Sequence, residues 1–394
     1  MHKNTIFFLG AGFSKGAGAP LQSELMSKVL SYDGIEYDIM EGDFRQKKNK
    51  VIRFLMDAYN LRPDHILKLS LEDVYTPIDK CISEGASFRG YSYKGLTNIR
   101  SNLSYMISVV IDHELSEWSY DEKEYARKFA KYVIDTNASS DNGAIIISTN
   151  WDILVDRAIV EASYRFASKS IKIDYGTSIV PIHSEAERHL LNNKNKNSEN
   201  DVSVRLYKMH GSLNWLKCPT CNRIYGDPQW KIALNETYHN TCKFCEKIYH
   251  EPATFNENNR QEECGIYLEP EIIVPTFLKN FSNVHYQRIW DSVGESLSEA
   301  KKIVFMGYSF PQADFELRQL ISRRLSYGCE IDVVLKTEGG EELDIEAKGY
   351  DLTEFGRYRN FFGKRKIKFY CKGAANYIET QLVQKPKAND PATT

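Results

Sequence analysis

The chain has 394 residues, 42% of them hydrophobic and 26% charged, with a net charge of −2. That length holds one large domain or two modest ones, and the near-neutral balance gives no general electrostatic reason to bind nucleic acid. The early apolar run is too short for a secretory leader and no later run is long enough to span a membrane, so a cytoplasmic protein without a membrane partner is expected.

The first element lies in "NTIFFLGAGFSKGAGAP". Ile6 to Leu9 read as a buried parallel strand that runs straight into Gly10, Gly12, Gly16 and Gly18. The glycines let the main chain turn and approach a ligand, with amide N–H groups facing an anion. A helix follows, with Leu21, Leu25, Met26 and Val29 at helical spacing. Strand, glycine loop and helix form a phosphate-cradling order, yet neither standard motif fits. The dinucleotide fingerprint needs glycine where Lys15 stands, and the P-loop lysine here precedes its glycine. A glycine-rich turn of purely structural use is the alternative.

Residues 31–140 read as mainly helical, with apolar residues three to four apart in "VIRFLMDAYN", "LEDVYTPIDKCI" and "LTNIRSNLSYMISVVIDHEL". "GAIIISTNWDILVDRAIVEA" repeats the opening logic of short strand, polar turn at Ser148 to Asn150, and helix. The polar stretch 192–201 reads as a mobile loop. "VRLYKMHGSLNW" is a strand leading to His210, while "EIIVPTF", "KKIVFMGYSF", "EIDVVLK" and "RKIKFYCKG" are further strands of the same sheet. Residues 384–394 read as a disordered tail.

"CPTC" and "CKFC" place Cys218, Cys221, Cys242 and Cys245 in two pairs. Each CxxC turn directs two thiolates at one ion, and two such turns complete a tetrahedral site that favours structural Zn²⁺. Two disulfides or free thiols are the alternative. His239 and His250 are spare ligands should a cysteine prove uninvolved.

Strands alternating with helices predict an α/β fold: a doubly wound, parallel, Rossmann-like sheet with a helical insertion and a small four-cysteine zinc module. The expected division is a sheet domain from 1–30, 141–213 and 271–383, a helical insertion at 31–140, and a zinc module at 214–270. Such sheets bind ligands beyond the carboxyl ends of their strands. Gly10–Ser14, Asn150–Asp152, His210 and Gly307–Ser309 all follow expected strands, so four polar turns converge on one crevice.

In their order these motifs resemble the sirtuin (SIR2) superfamily. The resemblance is carried by Gly10, Ala11, Gly12, Ser14, Gly18 and Pro20, by "STNWD", by His210–Gly211 ahead of the cysteine pairs, and by Gly307 and Ser309. It implies that Asn150 orients ribose and water and that His210 is the general base. It implies further that Asp152 reads the nicotinamide carboxamide, that Gly10, Ala11, Gly12 and Ser14 bind phosphate, and that Gly307 and Ser309 meet the adenosine side. A turn-stabilising Asn150, a helix-capping Asp152 and a plain strand-to-turn junction at Gly307 are the structural alternatives. Capping is favoured over a ribose contact for Asp314, and core packing is at least as well supported as a pocket role for Phe13 and Trp151.

The chain departs from the deacylating sirtuins. "GAPLQSEL" lacks the usual Asp-Phe-Arg, and Thr149 replaces the glutamine of the asparagine turn. These departures, with "GYSFPQADFE", resemble the SIR2-like NADase branch of bacterial antiphage systems. That resemblance implies NAD⁺ as substrate, NAD⁺ depletion as function, a HerA-type ATPase partner and homo-oligomers. An NAD-dependent protein deacylase and a non-catalytic NAD or ADP-ribose sensor are the alternatives.

Overall fold

A computed structural model describes residues 4–33, 43–117, 121–139, 143–164, 170–182, 201–228, 241–245, 268–278, 283–337 and 353–384. The stretch 192–200, residues 385–394, His239 and His250 lie outside the described residues.

A seven-stranded sheet forms the centre. Its strands are β1 (Thr5–Leu9), β2 (Ala144–Ser148), β3 (Ser170–Asp174), β5 (Asp201–Lys208), β9 (Lys302–Met306), β10 (Glu330–Val334) and β11 (Ile367–Tyr370). Their order is β11-β10-β9-β1-β2-β5-β3, and every pairing is parallel. The expected α/β class and parallel Rossmann-like sheet are therefore present. β1 lies between β2 and β9, with Phe7 level with Ile146 and Val304.

Burial on both faces explains the unbroken apolar run of β1. Phe7 meets Phe129 of the helix Glu124–Ser139 edge-on at 5.2 Å, while Phe8 meets Phe305 and Tyr308 at 5.3 and 4.7 Å. Full burial of one such side chain contributes about 1.5–3 kcal/mol. The helix Glu124–Ser139 turns Tyr125, Ala126, Phe129, Ala130, Val133 and Ile134 onto the sheet core.

A second core forms among helices Gln22–Ser31, Asp43–Tyr59, Leu71–Glu84 and Tyr93–Ser116. Their starts follow local chemistry. Ser70 and Ser92 accept hydrogen bonds from the amides of Asp73 and Gly95, capping two of them. The helix Leu71–Glu84 ends where Gly85 takes a φ of 65°. Trp151, Leu213 and Val274 join this second core, so the helical cluster packs onto the turns at the sheet's carboxyl end.

One expected strand is placed differently. "EIIVPTF" yields β8 (Glu269–Ile272), which pairs antiparallel with β6 (Gly211–Lys217) in a separate four-stranded sheet containing also β4 (Ile179–Pro181) and β7 (Ile224–Gly226). Its mixed burial explains this, because exposed Glu269 and Pro270 do not suit a strand covered on both faces.

The order places the topological switch beside β1. The chain leaves β1 for β2 on one side and later returns to β9 on the other. The crevice of such a sheet lies outside the strand ends at that point. Among the described residues, no helix is long and apolar enough to cross a membrane.

Candidate active site and four-cysteine cluster

Gly10 caps the short helix Ala11–Lys15 at the end of β1. The Gly10 amide donates to Met306 O at 3.0 Å, and the Gly12 amide donates to Gly307 O at 2.8 Å. The two loops touch backbone to backbone. A Cβ on Gly12 would lie 2.8 Å from Gly307 Cα, and one on Gly307 would lie 2.1 Å from Phe13 N. Gly307 also holds a φ of 63°, which strains any other residue. Packing therefore explains Gly10, Gly12 and Gly307 without a ligand. The amide cradle expected of Gly10 and Gly12 is corrected accordingly, since both amides are engaged within the chain. Phe13 is fully buried between Tyr125 and Phe129, which is the core role.

Asn150 follows β2 and reaches across to β1. Its Nδ2 donates to Gly10 O at 2.9 Å and to Ser14 Oγ at 3.1 Å. A carbonyl oxygen only accepts, so the amide nitrogen must face Gly10 and Oδ1 must point away. Ser14, 1% exposed, also hydrogen-bonds the Asp152 carboxylate. Asp152 Oδ1 accepts from the Leu154 amide at 3.0 Å, so it braces the start of the helix Leu154–Ser163. Burial pushes the Asp152 carboxyl up, against the opposing pull of Lys208. Trp151 packs in the helical core and donates its indole N–H to Ile273 O at 3.1 Å.

Lys208 was not singled out in the sequence, although a lysine inside a buried strand is itself a signal. Its Nζ lies 2.5 Å from Asp152 O and 3.2 Å from Asp156 Oδ2. Tyr175 donates to the other Asp156 oxygen at 2.6 Å. This buried network fixes the asparagine turn from below.

His210 follows β5 and is 8% exposed. Gly211 sets its exit with a φ of 78°, and a Cβ there would lie 2.3 Å from Glu271 O. His210 Nε2 lies 3.7 Å from Asp314 Oδ1, in the turn after β9. His210 thus spans the crevice from the β5 end to the β9 side. Asp314 stands at the N-terminus of the helix Phe315–Arg324 but makes no side-chain cap. The capping expected of it is therefore corrected: its Oδ2 accepts from Tyr308 Oη at 2.7 Å. Ser309 contributes its carbonyl to Arg357 Nε at 2.8 Å. The turns after β1 and β2 touch through Gly10, Ser14 and Asn150, those after β1 and β9 through Gly12 and Gly307, and those after β5 and β9 through His210 and Asp314. A cavity of about 310 Å³ borders Ile153, Leu154 and Leu213 but is lined by neither Asn150 nor His210.

The four expected cysteine ligands are gathered, with all Sγ atoms within 4.8 Å of one another. Cys218 and Cys245 lie 3.8 Å apart, and Cys221 and Cys242 lie 3.7 Å apart. A tetrahedral site with Zn–S bonds of about 2.3 Å has sulfur–sulfur edges of about 3.8 Å, so the cluster fits the ion. Burial opposes ionisation of Cys221, but hydrogen bonds from Arg223, with those from Cys218 and Cys245, overcome it and lower the thiol to about 6. The Tyr225 hydroxyl lies 3.1 Å from Cys242 Sγ, a contact that orients the sulfur.

No family model matches the sequence, and no curated protein matches it. Solved structures similar to this chain include a Sir2 homologue in complex with NAD, at 12% identity over 96% of this chain and 88% of that one, with a TM-score of 0.40. A Sir2 enzyme studied for mechanism and regulation is 14% identical over 96% of this chain and 89% of that one, with a TM-score of 0.38. A Sir2 complex with a p53 peptide and NAD⁺ is 12% identical over 95% and 90% of the two chains, also with a TM-score of 0.38.

Proposed function

We propose that the chain is a SIR2-like NAD⁺ glycohydrolase. NAD⁺ and water give nicotinamide, ADP-ribose and one proton. The observation that supports this reading is that Asn150, bonded to Gly10 at the β1 end, and His210, beside Asp314 on the β9 side, follow the neighbouring strands β2 and β5.

Cleavage of the nicotinamide–ribose bond builds positive character on the anomeric carbon while the leaving group becomes neutral. The chain's task is to hold the ribose and to give water one approach. Asn150 suits the first part, because its Nδ2 is held by Gly10 and Ser14 and its Oδ1 is turned outward. His210 suits the second, since an imidazole near neutrality takes the proton from the attacking water. Asp152 is assigned to the nicotinamide carboxamide, Ala11 to the phosphates, and Gly307 and Ser309 to the adenosine side, while the Ser14 hydroxyl, committed to Asp152 and Asn150, holds the asparagine turn. Zn²⁺ on Cys218, Cys221, Cys242 and Cys245 supplies structure, as four thiolates leave no open position. NAD⁺ depletion in antiphage defence, homo-oligomers and a HerA-type ATPase partner follow from the motif resemblance and belong to the same proposal.

The test is product analysis by chromatography after incubation with NAD⁺, with and without an acylated peptide. Nicotinamide and ADP-ribose without peptide support the glycohydrolase. Nicotinamide and O-acyl-ADP-ribose formed only with peptide point to the deacylase, and no turnover with or without an ATPase partner points to a sensor.

A further inference from the structure

We propose that Asp314 is a positioning residue for His210, itself held in place by Tyr308. This rests on the reading of His210 as the general base. Three observations carry it. Asp314 Oδ1 faces His210 Nε2 at 3.7 Å, while its Oδ2 is fixed by the Tyr308 hydroxyl at 2.7 Å. All three residues are buried, at 8% exposure for His210, 7% for Asp314 and 3% for Tyr308. Asp314 does not cap its own helix; its two carboxylate oxygens face His210 and Tyr308.

The backbone supports the same placement. Phe310 holds a φ of 55°, a strained conformation rare for a bulky side chain. Its ring is locked against Tyr358 and Phe361 at 4.9 and 4.6 Å, with the Arg318 guanidinium over it at 5.1 Å. The turn so held delivers Asp314 toward β5. Tyr308 is fixed in turn by Tyr358, which donates to its carbonyl at 2.7 Å.

At 3.7 Å the pair is in ion-pair range but beyond hydrogen-bond distance, a separation often seen at catalytic contacts before substrate binds. A carboxylate on the Nε2 side selects the tautomer with its proton there. Nδ1 then carries the lone pair that accepts a proton from water. The carboxylate also stabilises the imidazolium formed by that transfer. The charged group that bears on this cluster from the neighbouring helix is Arg318, within electrostatic range of Tyr308; the Glu271 carboxylate, whose backbone borders Gly211, is paired with Lys217 at 2.9 Å.

The test is a titration of His210 by NMR on full-length protein labelled at histidine Cε1, with the resonance assigned by His210→Gln. An opposite charge at this range shifts an imidazole by about one unit or more. Asp314→Asn should therefore lower the proton affinity of His210 by roughly tenfold, and Asp314→Glu should restore part of it. Tyr308→Phe, which leaves the carboxylate in place but loose, should move it in the same direction by less. On NAD⁺, Asp314→Asn should reduce kcat with little change in KM. An unchanged His210 titration in both folded Asp314→Asn and Tyr308→Phe overturns the proposal, even if the wild type cleaves NAD⁺. A His210 titration shifted in the variants, with a wild type that never cleaves NAD⁺, upholds the pairing and overturns the glycohydrolase reading instead. Should Asp314→Asn not fold, Tyr308→Phe and Asp314→Glu carry the test.

Discussion

Lys208→Met removes the cation that holds the asparagine turn. The ammonium is 1% exposed and sits between Asp152 O and Asp156 Oδ2, and Asp156 is fully buried. Methionine keeps the length of the side chain, so little cavity forms. What remains is a buried carboxylate that retains one donor, Tyr175 at 2.6 Å, and a carbonyl that has lost its own. Breaking a buried pair by removing one partner costs about 3–5 kcal/mol, because a charge is left uncompensated. Adding Asp156→Asn removes that charge while leaving Tyr175 an acceptor. The double variant should then be more stable than Lys208→Met by about 2 kcal/mol, a coupling expected only for residues in direct contact. Urea unfolding followed by circular dichroism and tryptophan fluorescence measures all three. A Lys208→Met protein within about 0.5 kcal/mol of wild type, or a double variant less stable than the single, would refute the reasoning.

Metal analysis of protein purified without chelators should find one zinc per chain, and Cys218→Ser should lower its thermal midpoint; a metal-free, fully stable protein contradicts the site. Gly307→Ala should impair folding, since its Cβ would lie 2.1 Å from Phe13 N; a soluble variant with wild-type stability would show that the two loops are not packed as described. Ser14→Ala removes an acceptor from Asn150 and a donor to Asp152, at about 1–3 kcal/mol of stability by urea titration; no loss would remove Ser14 from the network.

What was legible in the sequence was local. The unbroken run Ile6 to Leu9 suits a strand covered on both faces, and the spacing within each CxxC turn brings two thiols close together. The polar residues at successive strand ends were likewise readable, because strand, turn and helix are neighbours in the chain. The pairs that hold the site were not. Lys208 and Asp156 lie 52 positions apart, and His210 meets Asp314 only because β5 and β9 flank β1 and β2. Asp314 itself precedes a helix, so capping was the natural local reading, and tertiary contact with Tyr308 overrode it. The glycines suggest close approach to a ligand, whereas what approaches Gly12 in the structure is Gly307.

The central claim is that Asn150 and His210 cleave NAD⁺ in the switch-point crevice. Its most direct test is the initial rate of nicotinamide release from NAD⁺, without peptide, for wild type, Asn150→Ala and His210→Ala, with folding checked by circular dichroism. Loss of a placed acid–base group costs roughly 10²–10⁴-fold, so release by the wild type should fall by at least that much in folded His210→Ala, with Asn150→Ala comparably impaired. Wild-type rates in either folded variant, or no release by the wild type itself, would contradict the account.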